Sequence, residues 1–322
     1  MDRLVTMLRA AGDPTRLRLL LLLRQAELTV SELIEIVGQS QPRVSRHLKL
    51  LCAAGLIERF KEGSWVFYRA ADNGKAAELS AALTTLLSGP PDADLKRLAA
   101  VRETRATEAA AYFKANASQW GHIRSLHAPE REVEEAILRH LTVKPIQQLL
   151  DAGTGTGRML ELLAPLAKRA VGVDVSSEML AIARDTLARS QLSNVQVRLA
   201  DTYRLPFETG HAQSGFDTVI FHQVLHYLDD PAAAVQEAGR VMQKGGRILI
   251  ADFAQHDLEF LRQDFAHRRL GFSDKEVQGW FQAAGLKLAA SDAIAPPAEA
   301  TGMLTVKIWL GQSEAGAQAE AA

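Results

Sequence analysis

The stretch LLDAGTGTGRML, residues 149–160, decides the fold of the larger part of the chain. An apolar run leads into Asp151, glycines follow at 153, 155 and 157, and an apolar helical pattern resumes after Arg158. A glycine loop between a strand and a helix lets a ligand approach the backbone closely. Such a loop fits a dinucleotide as well as other adenosine-containing ligands. Here Arg158 stands where the dinucleotide pattern has its last glycine, and no Gly-Lys-Ser/Thr of a P-loop is present.

The sequence around this loop alternates strand-like and helical segments. The strand-like runs from residue 147 onward are QQLLDAGTGTG, AVGVDVS, VQVRLAD, FDTVIFHQ and GGRILIADF. Strands that alternate with helices predict a mostly parallel sheet with both faces covered. Two of the predicted strands end in a carboxylate, Asp174 and Asp201. Asp174 is placed to accept hydrogen bonds from ribose hydroxyls, and Asp201 to accept from an exocyclic adenine amine.

A second informative stretch, SQPRVSRHLKLL, occupies residues 40–51. Bases alternate with apolar residues, so one helix would present bases to solvent and leucines to a core. Residues 40–70 carry a net charge of +4, whereas the whole chain carries −1. Basic charge is therefore concentrated in one small region, as in nucleic-acid-binding modules.

The elements around the basic helix complete a recognisable order. Asp13 with Pro14, and Thr29 with Glu32, predict the starts of two preceding helices. LIERFKEGSWVFYRA, residues 56–70, predicts a β-hairpin that turns at Glu62-Gly63-Ser64. Helix, turn, basic helix and hairpin are the order of a winged helix-turn-helix, whose basic helix enters the major groove. The residues predicted to contact DNA are Ser40, Gln41, Arg43, Ser45, Arg46, His47, Lys49 and Lys61.

Length and composition limit the remaining possibilities. A chain of 322 residues predicts about two domains. Cys52 is the only cysteine, so neither an intramolecular disulfide nor a multi-cysteine metal site is expected. The sequence contains no apolar run of the ~20 residues that a bilayer requires. We therefore expect a cytoplasmic protein with no membrane partner.

Residues 1–88 resemble the ArsR/SmtB family of dimeric repressors. The resemblance rests on DPTRLRLLLLL from Asp13, ELTVSELIEIVGQSQPRVSRHLKLLCAAGLI from Glu27, and the wing EGSWVFYRA. It implies a homodimer that binds double-stranded promoter or operator DNA. Where the arsenic and cadmium sensors carry a cysteine pair, this chain has Thr29 and Ser31. Since soft metals need thiolate ligands, no metal is expected at these positions.

The segment from about Tyr112 to Leu310 resembles the class I S-adenosylmethionine-dependent methyltransferases, in particular the small-molecule branch of the UbiE type. The motifs are LLDAGTGTGRML, AVGVDVSSEML, VRLADTYRLPF and FDTVIFHQVLHYLDDP. The resemblance implies S-adenosylmethionine as cofactor, with S-adenosylhomocysteine as its product. The cofactor-binding residues it implies are Asp151, Gly153, Gly155, Gly157, Asp174, Asp201, Thr202, His222 and Gln223.

The methyl acceptor and the catalytic residues are left unassigned. No Asn-Pro-Pro-Tyr or Asp-Pro-Pro-Tyr follows the fourth strand, and no Pro-Cys is present, which argues against methylation of DNA bases. Arsenic methylation needs several cysteines. A further polar group comprises His226, Asp252, His256 and the run His267-Arg268-Arg269. It could bind an anionic or phenolic substrate or be a solvated surface, and for each residue taken singly the surface is favoured.

The resulting prediction is an N-terminal α+β winged helix followed by a C-terminal α/β, Rossmann-like methyltransferase with a mostly parallel seven-stranded sheet. The predicted segments are residues 1–88 for DNA binding and dimerisation, 89–130 for a helical connector, 131–310 for the methyltransferase domain, and 311–322 for a disordered tail. The leading function is a transcriptional regulator whose methyltransferase domain is a catalyst or a ligand sensor. The alternatives are a metabolic small-molecule methyltransferase whose winged helix mainly dimerises, and a regulator whose cofactor pocket is inactive.

Overall fold

The computed structural model describes residues 2–26, 28–62, 65–71, 74–116, 129–190, 192, 194–210, 215–296 and 303–313. The chain divides into two compact units, Met1–Glu108 and Ala109–Ala322. Of the predicted hairpin turn, Gly63 and Ser64 lie outside the described residues, as do residues 117–128 of the predicted connector and 314–322 of the predicted tail.

The first unit consists of helices and a small antiparallel sheet of order β1-β3-β2. Its elements are α1 (Asp2–Ala11), α2 (Pro14–Leu23), β1 (Leu28–Thr29), α3 (Val30–Val37), α4 (Gln41–Ala53), β2 (Ile57–Glu62), β3 (Trp65–Ala70), α5 (Gly74–Leu86) and α6 (Asp92–Asn116). The helix, turn, basic helix and hairpin expected from the sequence are all present.

Local capping fixes the starts of two helices as the sequence predicted. The Asp13 side chain accepts a hydrogen bond of 3.0 Å from the Arg16 N–H at the start of α2. Thr29 and Glu32 form a reciprocal capping box at the start of α3. Because each cap satisfies backbone donors that have no partner within the helix, it stabilises the helix by about 1 kcal/mol. Both predictions are confirmed.

The basic helix α4 places its apolar side in the core of this unit. Val44, Leu48 and Leu51 are fully buried. Cys52 is partly buried against the same cluster, and burial raises the pKa of its thiol. A small thiol in that position fills core volume.

The N-terminal half of α6 packs onto this core. Leu98 and Val101 are buried in it, and the 1% exposed Asp94 accepts two hydrogen bonds from the Arg18 guanidinium, of 2.7 and 2.6 Å. Arg97 Nη1 donates to the Ile36 carbonyl at 2.8 Å. α6 is therefore attached to α2 and to the last turn of α3. The domain limits expected at residues 88 and 130 stay predictions.

The second unit is a sheet flanked by helices. Its elements are α7 (Glu130–Leu141), β4 (Ile146–Ala152), α8 (Arg158–Leu163), β5 (Ala167–Asp174), α9 (Ser177–Arg189), β6 (Val195–Leu199), β7 (Phe216–His222), α10 (Pro231–Val241), β8 (Met242–Phe253), α11 (Phe260–Asp264), α12 (Asp274–Ala283), β9 (Leu286–Ile294) and β10 (Val306–Ser313). Single 3-10 turns lie at Ala164–Leu166 and Leu225–Tyr227.

Seven strands form this sheet, in the order β6-β5-β4-β7-β8-β10-β9. The pairs β6-β5, β5-β4, β4-β7 and β7-β8 are parallel, whereas β10 runs antiparallel to both β8 and β9. Two apolar clusters cover the sheet, which explains why its central strands read as continuous hydrophobic runs. The mostly parallel seven-stranded sheet is confirmed.

The last strand corrects the predicted start of the tail. Gly311, Gln312 and Ser313 belong to β10, and Gln312 pairs with Arg247 on one side and Lys287 on the other. A Cβ at Gly311 would lie 2.7 Å from the Phe281 ring, so only glycine fits there without a shift. Composition predicted disorder here, but strand pairing on both sides overrides it. Within the described ranges, no helix is long and apolar enough to cross a membrane.

Candidate nucleic-acid interface and cofactor site

Seven of the eight residues predicted to contact DNA lie on the surface of the first unit. Those that are exposed are Ser40, Gln41, Arg43, Ser45, Arg46, Lys49 and Lys61. Ser40 is the N-cap of α4, yet its side chain makes no capping hydrogen bond in the described structure. Its hydroxyl is therefore available to an anion such as a phosphate, whereas the N–H groups of Arg43 and Val44 already donate to the Ser40 carbonyl at 3.1 Å.

His47 is placed differently from the other predicted DNA contacts. Its side chain is only 13% exposed, and Nδ1 lies 3.8 Å from the Asp13 carboxylate that caps α2. The structure therefore turns His47 toward the body of the unit and does not bring it together with the exposed bases.

The hairpin that would form the wing carries two exposed bases, Arg59 and Lys61. Arg69 instead pairs with Glu58 at 2.9 Å and lies over the Phe60 ring at 5.3 Å. This pairing spans the two strands of the hairpin and fixes their register. The two exposed bases of the hairpin thus lie on β2, whereas Arg69 of β3 is in an ion pair.

The glycine loop of the second unit joins β4 to α8. Gly153, Gly155 and Gly157 have φ angles of 79°, 52° and 85°, a left-handed region that side chains disfavour. A Cβ at Gly153 would lie 2.4 Å from Val224 Cγ2. The loop after β7 is therefore in direct contact with the glycine loop.

Asp174, the last residue of β5, is hydrogen-bonded to the glycine loop. One carboxylate oxygen accepts from the Gly155 N–H at 2.8 Å, and the other accepts from the Ser176 N–H at 2.9 Å. Desolvation raises the pKa of this carboxyl, although the backbone N–H groups of Ser176, Gly155 and Val175 oppose the shift. Each oxygen retains a lone pair, so the carboxylate can also accept from two hydroxyls of a ligand.

The other two predicted acidic residues, Asp151 and Asp201, differ in their exposure to solvent. Asp151 is 1% exposed and accepts a 2.5 Å hydrogen bond from the Thr154 hydroxyl. This bond connects the end of β4 to the glycine loop. Asp201 lies beyond the end of β6; it is exposed and accepts from the Tyr203 N–H at 2.9 Å. Thr202 beside it is 6% exposed.

The fourth strand, β7, ends in His222, which is partly exposed. Gln223 follows with a φ of 50°, unusual for a residue with a side chain, and its N–H donates to the Ala251 carbonyl at 2.7 Å. Its side-chain Nε2 is buried and finds no hydrogen-bond partner among the described residues. Strained backbone and an unsatisfied polar atom together mark a binding or catalytic position.

These residues share one edge of the sheet. Strands β4, β5, β6 and β7 are parallel neighbours, so their carboxyl ends meet there. The chain order runs outward from β4 to β6 on one side and then starts again at β7 on the other. Ligands of open α/β sheets bind in the crevice at such a reversal.

Several polar residues next to this crevice are buried, although the sequence favoured a surface position for each of them. The surface interpretation is wrong for His226, Asp252, His267 and Arg269, which are 1%, 0%, 6% and 6% exposed. His226 Nδ1 lies 2.6 Å from Asp252 Oδ1. The available signal was that Asp252 interrupts an otherwise apolar strand, ILIADF, in which a carboxylate requires a partner.

Aromatic rings surround His226. The ring centroids of Tyr227, His267 and Phe253 lie 4.1, 4.2 and 4.9 Å from that of His226. The ring of His256 lies edge-on to that of Phe253, with a distance of 6.1 Å between the ring centroids. Burial, together with the nearby His226 and Arg262, lowers the pKa of His256 to about 4, so this imidazole is neutral near pH 7.

Each of the two units contains a segment that matches a known protein family. Residues 13–59 match the family described as bacterial regulatory protein, arsR family, and residues 150–250 match the family described as methyltransferase domain. An HTH-type transcriptional regulator of Methanocaldococcus jannaschii is 37% identical over 73 residues, which are 22% of this chain and 82% of that protein. The chain contains an arsR-family helix-turn-helix domain and a methyltransferase domain.

Other relatives match parts of this fusion. An uncharacterised 37.1 kDa protein of a Streptomyces fradiae transposon is 34% identical over 125 residues, 38% of this chain and 34% of that protein. The chain thus spans only about a third of that relative's length. Among solved structures, a chain of the complex between the Haloferax volcanii Trm112 methyltransferase activator and a methyltransferase is similar to this chain, with a TM-score of 0.53 and 22% sequence identity. The superposition covers 64% of this chain and 98% of the matched chain. That likeness shows the fold of the methyltransferase domain.

The cofactor of the methyltransferase domain is S-adenosylmethionine, and the residues at the crevice fit it. Asp174 offers two free lone pairs to a ribose, and the glycine loop exposes backbone where side chains would intrude. The arsR-family domain, for its part, is a DNA-binding domain with an exposed basic helix. Among the described residues there is no group of three or more histidines, cysteines or carboxylates that could hold a metal ion.

Proposed function

We propose that this protein is a homodimeric transcriptional regulator whose affinity for promoter DNA depends on the cofactor state of its methyltransferase domain. The observation that supports this most directly is the attachment of α6 to the helix-turn-helix. Arg18 Nη2 and Arg97 Nη1 donate to the carbonyls of Val37 and Ile36, at 3.1 and 2.8 Å. These two residues end α3, immediately before the turn that leads into the basic helix.

The buried Asp94 carboxylate holds this arrangement together. It binds Arg18 through both oxygens and lies 3.9 Å from Arg97. α6 continues to Asn116, past the end of the first unit at Glu108. A displacement of α6 would therefore move the α3–α4 turn and the basic helix together.

The methyltransferase domain contributes binding and positioning. Asp174 would hold the ribose, the glycine loop the methionine portion, and Asp201 with Thr202 the adenine, while His222 and Gln223 face the acceptor. The cofactor supplies an electrophilic methyl group on a sulfonium. Because the transfer is a direct displacement, catalysis comes largely from holding the acceptor in line and excluding water. The acceptor we propose is a small molecule.

A dimer is supported by apolar residues on two helices of the first unit. Leu4, Val5 and Leu8 of α1 are 41%, 39% and 46% exposed, and Leu86 at the end of α5 is 79% exposed. By contrast, Leu79 and Leu83 of α5 pack against the core of the unit. We infer that α1 and the end of α5 meet the same helices of a second copy.

The test is DNA affinity as a function of cofactor. Fluorescence anisotropy of the full-length protein on DNA upstream of its own gene, at fixed salt, is measured without ligand, with saturating S-adenosylmethionine, and with saturating S-adenosylhomocysteine. A coupling of about 1–3 kcal/mol predicts a change of roughly 5- to 150-fold between at least two conditions. Promoter DNA must alter cofactor affinity by the same factor, which calorimetry can check.

Two variants separate cofactor binding from the effect of the cofactor on DNA affinity. Asp174→Ala should shift the response to cofactor concentrations about 10- to 150-fold higher, because the cofactor binds more weakly, and Arg97→Ala should abolish the response while cofactor binding is retained. Arg131→Ala, which removes an exposed ion pair with Glu135 in the second unit, should leave the response intact. Equal DNA affinity in all three ligand conditions would refute cofactor sensing. Absence of specific DNA binding altogether would favour the metabolic methyltransferase whose winged helix mainly dimerises.

A further inference from the structure

The buried pair of His226 and Asp252 has a defined proton arrangement. Asp252 Oδ1 accepts from the Phe253 N–H at 2.8 Å, and Oδ2 accepts from the Leu225 N–H at 3.0 Å. Because backbone N–H groups can only donate, both carboxylate oxygens act as acceptors. The proton of the 2.6 Å contact therefore belongs to His226 Nδ1, and in the neutral form of the ring Nε2 carries a lone pair.

That lone pair is not satisfied. His226 Nε2 is buried and has no hydrogen-bond partner within the described ranges of the chain. A buried polar atom without a partner costs about 1–3 kcal/mol, so it calls for a functional explanation. The backbone of His226 is also held in place, because its carbonyl accepts hydrogen bonds from the N–H groups of Arg268 and Arg269 at 2.9 and 3.0 Å.

The pair lies in the loop that touches the glycine loop. Val224, two residues before His226, is the side chain that a Cβ at Gly153 would meet at 2.4 Å. Gln223, with its buried and unsatisfied Nε2, belongs to the same loop. A basic nitrogen and a donor amide are thus carried by the segment that follows β7, at the end of the sheet where the cofactor would bind.

We propose that His226 is the general base of methyl transfer, that Asp252 is its positioning residue, and that the acceptor is a phenolic hydroxyl. This inference rests on the proposed methyltransferase activity. The acceptor oxygen gives its proton to His226 Nε2 as it gains the methyl carbon. The carbon–sulfur bond of the sulfonium breaks and leaves its electron pair on sulfur. The products are the methyl ether, neutral S-adenosylhomocysteine and an imidazolium ion that Asp252 stabilises.

The surroundings favour a phenol over an aliphatic alcohol. A phenol has a pKa of about 10, as in tyrosine, close enough to that of an imidazole for proton transfer to assist the reaction. Of the rings that contact His226, those of Phe253 and His267 are buried, whereas Tyr227 is partly exposed and offers a ring against which an aromatic acceptor can pack. His256, neutral near pH 7, adds no competing charge to the cluster.

The experiment must separate a base from a purely structural histidine. His226→Asn keeps an amide donor near the position of Nδ1, so the hydrogen bond to Asp252 can persist, but it removes the lone pair of Nε2. His140→Asn is the control for loss of a histidine paired with a carboxylate, because His140 Nε2 lies 2.9 Å from Asp292 Oδ2, a residue of β9. Calorimetric affinity for S-adenosylhomocysteine reports whether each full-length variant keeps its cofactor site.

The first readout does not depend on turnover. 4-Nitrophenol and 4-nitrocatechol are added to the full-length protein with saturating S-adenosylhomocysteine, at a pH below the pKa of each probe. The wild-type protein and His140→Asn should generate the phenolate absorption band as the bound probe gives its proton to His226. His226→Asn should not generate it, although its affinity for S-adenosylhomocysteine is unchanged.

The second readout is methyl transfer to the same phenols, which should fall by about 10²- to 10⁴-fold in His226→Asn, as for loss of a general base. No phenolate band with either probe in the wild-type protein, or an equal band in His226→Asn, would overturn the inference. Failure of the wild-type protein to bind S-adenosylhomocysteine would instead refute the proposed methyltransferase function. A wild-type protein that binds S-adenosylhomocysteine but ionises no phenol therefore fails this inference alone.

Discussion

Replacing Gly153 by alanine should damage the glycine loop in two separable ways. The first is conformational, because φ is 79° at this position. A side chain in the left-handed region costs about 1–2 kcal/mol. The second is steric, because the added Cβ would lie 2.4 Å from Val224 Cγ2 and 2.9 Å from Val224 Cβ. Overpacking of this kind typically costs another ~1–3 kcal/mol, so Gly153→Ala should lose about 2–5 kcal/mol in total.

Gly285 provides a matched control for the conformational part. Its φ is 74°, almost the same as that of Gly153, but nothing lies within 4 Å of an added Cβ. Gly285→Ala should therefore lose only about 1–2 kcal/mol. Adding Val224→Ala to Gly153→Ala should recover part of the steric cost, because it removes the Cγ atoms at 2.4 and 3.1 Å but keeps the Cβ at 2.9 Å, which gives a favourable coupling of up to about 3 kcal/mol in the double-mutant cycle.

Stability is measured by calorimetric unfolding of the full-length chain, using the transition that S-adenosylhomocysteine shifts to higher temperature, since a ligand stabilises the unit that binds it. The same samples are titrated with the cofactor. Gly153→Ala should bind it more weakly than Gly285→Ala does. If the two single variants lose equal stability, or if Val224→Ala recovers nothing, the contact between the glycine loop and the loop after β7 does not exist as described.

Three further predictions concern the interface, the cofactor and pH. Arg46→Ala should weaken specific promoter binding by about 1–3 kcal/mol and leave the fold intact, as judged by anisotropy and circular dichroism; unchanged affinity would remove this residue from the interface. Asp174→Ala should weaken S-adenosylmethionine binding by roughly 1.5–3 kcal/mol in calorimetry, because it removes hydrogen bonds to a charged acceptor; equal affinity would contradict its role at the ribose. The pKa of His256 is lowered from 6.5 to about 4 in the folded state, so between these values the unfolded chain binds more protons. Stability should therefore fall as pH drops through that window, and His256→Asn should flatten the dependence in calorimetric scans; an unchanged slope would refute the assignment.

The sequence by itself determined the elements whose signals are local. Asp13 and the Thr29–Glu32 pair act on backbone groups within three residues, so their spacing alone predicts the caps that the structure contains. The strand and helix alternation and the glycine loop are likewise short-range patterns. Together they predicted the winged helix-turn-helix, the mostly parallel sheet and the strands that end near Asp174 and Asp201.

Tertiary structure alone decided the contacts between residues far apart in the chain. His226 and Asp252 are 26 positions apart and Arg18 and Asp94 are 76 apart, and no periodicity links either pair. His226 and Asp252 were therefore expected at the surface, which is the usual place for an isolated polar residue. Packing brings each pair together in the interior, where hydrogen bonds between the partners offset the desolvation that each group would suffer alone.

The difference between local patterns and contacts made by distant residues also explains why His47 and residues 311–313 lie in surroundings that the sequence did not predict. His47 shares the spacing of the exposed bases on α4, but Asp13 of another helix lies beside it and its side chain is turned inward. Gly311 to Ser313 have the composition of a flexible tail, yet their backbone groups pair with strands formed by residues around 247 and 287. Composition and spacing describe the preferences of a segment on its own. Burial and strand pairing depend on which distant segments meet it, and that is settled only when the whole chain has packed.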